Sequence, residues 1–317
     1  MITTHTQFDP QFYIESVAAA GTSAVIFTLI GWLSHFLYAH LLVYQQLHEG
    51  QKKEWRARTV ALIHSIAAIA LASKAVWQFP HNSSEMQQIF GSTPELRLAA
   101  SVSCGYFLWD AVINIWHWRS PGTDYFAFQG LLHGSVCFFV YIASLRPFGL
   151  CVTALHLLFE FSTPFLHIRW FLIKLGYASS AIGVTNDYAF VLVFFVARVL
   201  MGPFYAYWYF SLMPFVPFSP FHLVFLPSTL ISNGLNFFWF YLILQSALVA
   251  TPTEKKQIGK QKKKRSHSRT SSESKSPAPP RLMQKNANHE VDFIQTNSRC
   301  NSKPVVQAMP VCQPVTV

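Results

Sequence analysis

The sequence predicts an all-α, polytopic membrane protein with about seven transmembrane helices. Three observations carry this. Of 317 residues, 51% are hydrophobic and 12% are charged, about half the charge of an ordinary soluble domain. That balance excludes a soluble globular enzyme. Aromatic residues make up 16%, and their rings suit lipid-facing surfaces and interfacial belts. The apolar residues also gather into seven runs near the length of about 20 residues that a helix needs to cross a bilayer.

The runs fall at 17–44, 58–79, 98–117, 126–145, 149–166, 184–210 and 221–249. The fourth and fifth are separated only by Arg146-Pro147. A tight turn there suits a helical hairpin, with proline near the start of the returning helix. The alternative is six spans, with one member of this pair re-entrant. Met213–Pro220, rich in Pro and Phe, reads as a membrane-surface loop.

Charge divides the chain. Residues 251–317 hold 13 Lys/Arg and 4 Asp/Glu, whereas residues 1–250 hold 11 and 10. The net charge of +10 therefore belongs to a tail, not to a folded basic face, and nucleic acid is not an expected partner. The tail is expected to be a disordered cytoplasmic segment, because its polar composition cannot offset the entropy of ordering. Its basic cluster from Lys255 to Arg265 would attract the anionic cytoplasmic leaflet. Ser266, Ser268, Ser271 and Ser272 stand where phosphorylation would weaken that attraction. The ending Val315-Thr316-Val317 offers a possible strand to a tail-binding protein.

With seven spans, Lys52, Lys53, Arg56, Arg58, Arg119, Arg169 and Lys174 share one side, and Arg97 and Arg146 the other. The positive-inside rule then puts the tail in the cytoplasm and the N-terminus on the luminal or extracellular side. The sequon Asn82-Ser83-Ser84 falls on that non-cytoplasmic side. The polar stretch Met1–Glu15 lacks the basic start of a cleavable signal. Cys104, Cys137 and Cys151 lie in apolar runs and read as small buried hydrophobes. Neither a Cys-x-x-Cys pair nor a zinc spacing appears.

Ionisable groups at membrane depth are costly and face the bundle interior or a water-filled cavity. At 1.5 Å per residue from the expected cytoplasmic ends, His64, Asp110, His133 and Glu160 lie about 9–10 Å deep, and Arg198 about 21 Å. Four helices thus place one ionisable side chain each in a single layer. Asp110, Asn114 and His117 form one helical stripe, and His156 and Glu160 are four apart. Arg198 has no other charge on the central part of its helix and needs a carboxylate, with Glu160 and Asp110 as the choices. The bland reading is a set of buried polar pairs that fix helix register. The functional reading is a polar chamber that holds a lipid headgroup or moves protons, with His133 as base and Asp110 as its orienter.

Sharper readings fail. His35 and His40 are five apart, which is wrong for a zinc helix of the His-Glu-x-x-His type. The receptor triplet of the third span and the Asn-Pro-x-x-Tyr of the seventh are missing, and no phosphate loop is present.

The stretches Arg58–His64, Gly105–Asp110, Leu131-Leu132-His133, Leu157–Trp170 and Phe194–Arg198, taken in order and spacing, resemble the TLC-domain family. The block Glu160–Trp170 most resembles the branch of TLC domain-containing protein 4. The resemblance implies a six-helix TLC-type barrel over 58–250, a first helix outside it in 1–57, a chamber for lipid, and an endoplasmic reticulum or other endomembrane location. Ceramide synthases of this family carry two adjacent His, whereas here His133 is followed by Gly134. The resemblance therefore implies a lipid-homeostasis protein that binds membrane lipids and needs no cofactor. The alternative is a sphingoid-base N-acyltransferase with acyl-CoA as co-substrate, and a further alternative is a trafficking or cargo protein acting through its tail.

Overall fold

The computed structural model describes the backbone of residues 3–4, 10–80, 82–118, 124–215, 217–218 and 220–270, and side chains within 10–116 and 130–246 of those ranges. The described residues up to Ile243 form one compact unit, and those from Leu244 to Thr270 belong to a second. The first unit is a helical bundle. Its elements are α1 (Pro10–Tyr38), α2 (Leu42–Gln46), α3 (Glu49–Gln78), α4 (Glu85–Phe90), α5 (Pro94–Trp118), α6 (Asp124–Ser144), α7 (Leu150–Leu157), α8 (Thr163–Lys174), α9 (Ala181–Phe194), α10 (Met201–Leu212) and the start of α11 (His222–Thr270). The β-structure among the described residues is one antiparallel pairing of Thr3–Thr4 with Gly91–Ser92.

Six continuous helical stretches are long and apolar enough to cross a membrane: Pro10–Tyr38, Glu49–Gln78, Pro94–Trp116, Leu150–Lys174, Ala181–Phe215 and His222–Ser246. The seventh is α6, whose 21 residues reach about 31 Å. The protein is thus an all-α polytopic membrane protein. The hairpin between α6 and α7 forms as the short turn requires, but proline does not start the returning helix. Pro147 lies in the turn, and Gly149 caps α7 with φ +69°. Its N–H donates to the Ile89 carbonyl at 2.6 Å. A Cβ there would stand 2.6 Å from the Phe225 ring, so both the backbone and the space require glycine.

Local chemistry sets the other ends. Ser84 and Gln87 make a capping box that opens α4, which uses the serine of the 82–84 sequon while Asn82 stays exposed. Ser180 caps α9 by accepting from Gly183 N–H. Gly176, at φ +79°, closes α8: its N–H reaches Ile173 and that of Tyr177 reaches Leu172, the paired bonds of a Schellman stop. The fifth span consequently ends eight residues beyond the expected 166.

α1 packs outside the other six spans, against α3 and α5. Small residues make that seam. A Cβ on Gly105 of α5 would collide with the Ala20 carbonyl of α1, and the Ser23 hydroxyl donates to the Val102 carbonyl at 2.8 Å. Close approach through small residues and short interhelical hydrogen bonds is how helices associate in lipid. Cys104 and Cys151 are buried and, like Cys137, unbridged.

The expected start of an unstructured tail at 251 needs correction. α11 continues to Thr270, because Thr253–Thr270 holds six Lys, two Arg and two Gln, all good helix formers, and no proline. Residues 271–317, with Ser271, Ser272 and the Val315–Val317 ending, lie outside the described residues, as do Arg119 and the side chains of His117, Ser266 and Ser268.

Candidate polar chamber

Two helical distortions build the site. Between α7 and α8 the chain tightens into a 3-10 turn over Leu158–Ser162. Pro164 follows, and a proline lacks the N–H and crowds the carbonyl four residues back, which here belongs to Glu160. Between α9 and α10 the chain widens into a π-helix over Phe195–Leu200. Pro203 stands four residues beyond Val199 and acts the same way. Such π turns recur at functional sites. The first distortion carries Glu160 and the second Arg198.

These two residues meet. Arg198 Nη2 lies 4.0 Å from Glu160 Oε1, with the side chains 2% and 8% exposed. The guanidinium donates from Nε to Ser162 Oγ at 3.0 Å, from Nη1 to Asn236 Oδ1 at 3.3 Å and from Nη2 to Thr163 Oγ1 at 3.3 Å. Phe194 packs beneath it, 5.4 Å from ring centre to Cζ. Three of its five N–H groups thus go to neutral partners, and its carboxylate partner is held at arm's length.

A cavity of about 70 Å³ opens over this pair. By that measure a water needs about 10–15 Å³, so the space suits several waters or a compact headgroup and not a folded acyl chain. Five of the six spans that follow α1 reach it. Phe107 comes from α5, and His133, Cys137 and Tyr141 come from α6. His156 and Glu160 come from the fifth span, Arg198 from the sixth, and the hydroxyls of Ser228, Thr229 and Ser232 from α11.

The histidines differ. His156 Nδ1 stands 2.8 Å from the Val152 carbonyl, which only accepts, so Nδ1 carries its proton. Nε2 has no partner among the described residues, and neither has Asn236 Nδ2. His133 Nε2 lies 3.5 Å from Cys137 Sγ, and its ring packs edge-on against Phe107 and Trp239. His64 lies elsewhere, which corrects the expectation of a chamber residue. It stacks on Tyr106 with ring centres 3.6 Å apart, meets Phe27 of α1 and lies 3.3 Å from Ser103 Oγ. Asp110 and Asn114 stand beside the chamber wall: Asn114 donates to the Asp110 backbone carbonyl. The Asp110 carboxylate occupies the space next to Gly134, where a Cβ would come within 2.7 Å of Oδ2.

The expected single layer is therefore not the organising feature. Depths shift because the helix ends lie elsewhere. From Lys174, Glu160 is about 21 Å along its helix, and from Ala181 Arg198 is about 26 Å along its own. This brings together two residues whose expected depths differed. Of the two expected candidates, Glu160 and Asp110, the geometry sets Glu160 beside Arg198. Ser162 and Thr163, which complete the Arg198 cradle, were not singled out, although they sit in the Ser-Thr-Pro block beside Glu160. No group of three or more metal-ligating side chains occurs among the described residues.

The architecture and the buried polar pair define a class: a multi-span helical membrane protein with an intramembrane chamber. The chain matches the TLC domain over residues 54–245, and it belongs to the TLC-domain family. It is 28% identical over 224 residues to a TLC domain-containing protein of Schizosaccharomyces pombe, covering 68% of this chain and 73% of that protein. With TLC domain-containing protein 4-B of Xenopus laevis it shares 27% over 202 residues, 62% of this chain and 73% of the relative. With TLC domain-containing protein 4 C of Dictyostelium discoideum it shares 26% over 261 residues, 77% and 92% of the two chains. These similarities place it in the branch of TLC domain-containing protein 4.

Proposed function

We propose that this chain binds the polar headgroup of a membrane lipid in the chamber and thereby influences membrane lipid composition. The observation that carries the reading is Arg198: a buried guanidinium beside a cavity, held by neutral hydroxyls and an amide, with its carboxylate at 4.0 Å. Such a fork suits a phosphate or a carboxylate. His156 Nε2, which faces the cavity without a partner among the described residues, would complete the polar contacts, and the acyl chains would remain in the surrounding bilayer.

In this reading the N-terminus faces the lumen of the endoplasmic reticulum or another endomembrane, and the basic segment after Thr251 faces the cytoplasm, where it contacts anionic lipid. An N-acyltransferase of synthase type fits less well, because the Asp110 carboxylate fills the place beside position 134. The test is replacement of the chromosomal copy by Arg198→Gln, with membrane lipid species measured against wild type and deletion. The deletion should alter specific lipid classes and Arg198→Gln should reproduce that change. Unchanged lipids in the deletion strain would defeat the proposal.

A further inference from the structure

A second recessed feature lies on the outer face of the bundle, away from the chamber. Four basic residues, Lys52, Lys53, Arg56 and Arg58, open α3. Of these, Lys53 and Arg56 border a groove of about 240 Å³ between α1, α3 and α5. Its other walls include the indoles of Trp32, Trp109 and Trp116, of which Trp32 is 61% and Trp116 74% exposed. A trough of about 380 Å³ continues from it, sharing Thr28, Trp109 and Ile113, and is walled by Val25 and Leu29 of α1 and Leu108 and Val112 of α5.

The groove therefore has two cations at one end, indoles around them, and an apolar channel running away along the helices. Indoles settle at headgroup level, and basic pockets between transmembrane helices bind anionic headgroups. We infer that this face seats an anionic phospholipid of the surrounding leaflet, with its phosphate at Lys53 and Arg56 and one acyl chain in the α1–α5 trough. A free phosphate ion would leave the trough unfilled, and a partner helix would find charge at one end only. Half of the trough's lining comes from α1, which lies outside the matched TLC domain. The groove and trough share no lining residue with the chamber.

The full chain would be prepared in micelles holding equal phosphatidylserine and phosphatidylcholine, and the retained lipids counted by native mass spectrometry. Two basic groups near the net negative headgroup should give about a thirty-fold preference for phosphatidylserine. Lys53→Ala/Arg56→Ala should bring this near parity. Lys52→Ala/Lys174→Ala, with the same loss of charge elsewhere, should keep it. Thr28→Trp fills the trough without changing charge and should also lose the retained lipid. Retention of the preference by Lys53→Ala/Arg56→Ala or by Thr28→Trp, or its equal loss in the charge-matched control, would overturn the inference.

Discussion

The Arg198–Glu160 pair is both the most legible and the most consequential part of the site. A lone arginine in an apolar run must find an acceptor, so the sequence alone narrows its partner to two carboxylates. Removing one partner leaves a buried charge uncompensated, which costs about 3–5 kcal/mol. Arg198→Ala and Glu160→Ala should each destabilise by roughly that amount, and the double variant by clearly less than their sum. A double-mutant cycle by thermal or detergent denaturation reads this, and additivity would mean the pair does not interact. Gly134 is the second informative residue. Its lack of a side chain makes room for the Asp110 carboxylate, so the missing second histidine is a packed feature and not a vacancy. Gly134→His should destabilise by about 1–3 kcal/mol through overpacking and should confer no acyl-CoA-dependent amide formation. His64 shows the opposite lesson. Depth along a helix says nothing of the face a residue takes, and His64 turns to Tyr106 and Phe27.

At the scale of elements, apolar run length gave the number and order of the spans, and small stop signals moved their ends. The Schellman stop at Gly176 and the proline-bound turns at 158–162 and 195–200 depend on a few local hydrogen bonds, which hydropathy averages away. The prolines at 164 and 203 were visible, but their effect on Glu160 and Arg198 depends on which face each helix buries. Two glycines test the packing. Gly149→Ala must hold a left-handed backbone, at about 1–2 kcal/mol, and must also displace Phe225, so its melting temperature should fall by more than that backbone term alone. Gly105→Val should part α1 from α5, read as increased labelling of a cysteine placed at Ala20. Unchanged labelling would argue against the tight seam.

At the scale of the whole molecule, the chain is a nearly neutral apolar body followed by a basic segment. The body carries the chamber and the segment carries the charge. Removing residues 251–317 should therefore leave chamber-dependent lipid effects largely intact while weakening attachment to anionic vesicles. Loss of the lipid effects on truncation would instead favour a tail-dependent trafficking role. The class of molecule was legible because composition and span count are whole-chain properties. The chamber was legible only in part, since its size and its neutral donors, Ser162, Thr163 and the hydroxyls of α11, carry no charge signal in an apolar sequence.

The central claim is that Arg198 holds a lipid headgroup. The most direct measurement is mass spectrometry of the lipids that co-purify with the full chain, wild type beside Arg198→Gln, both checked for folding by melting. The account predicts one lipid class enriched with the wild type and lost from Arg198→Gln, while the lipid retained through Lys53 and Arg56 is unchanged. The same lipids in the same amounts on both well-folded proteins would contradict it.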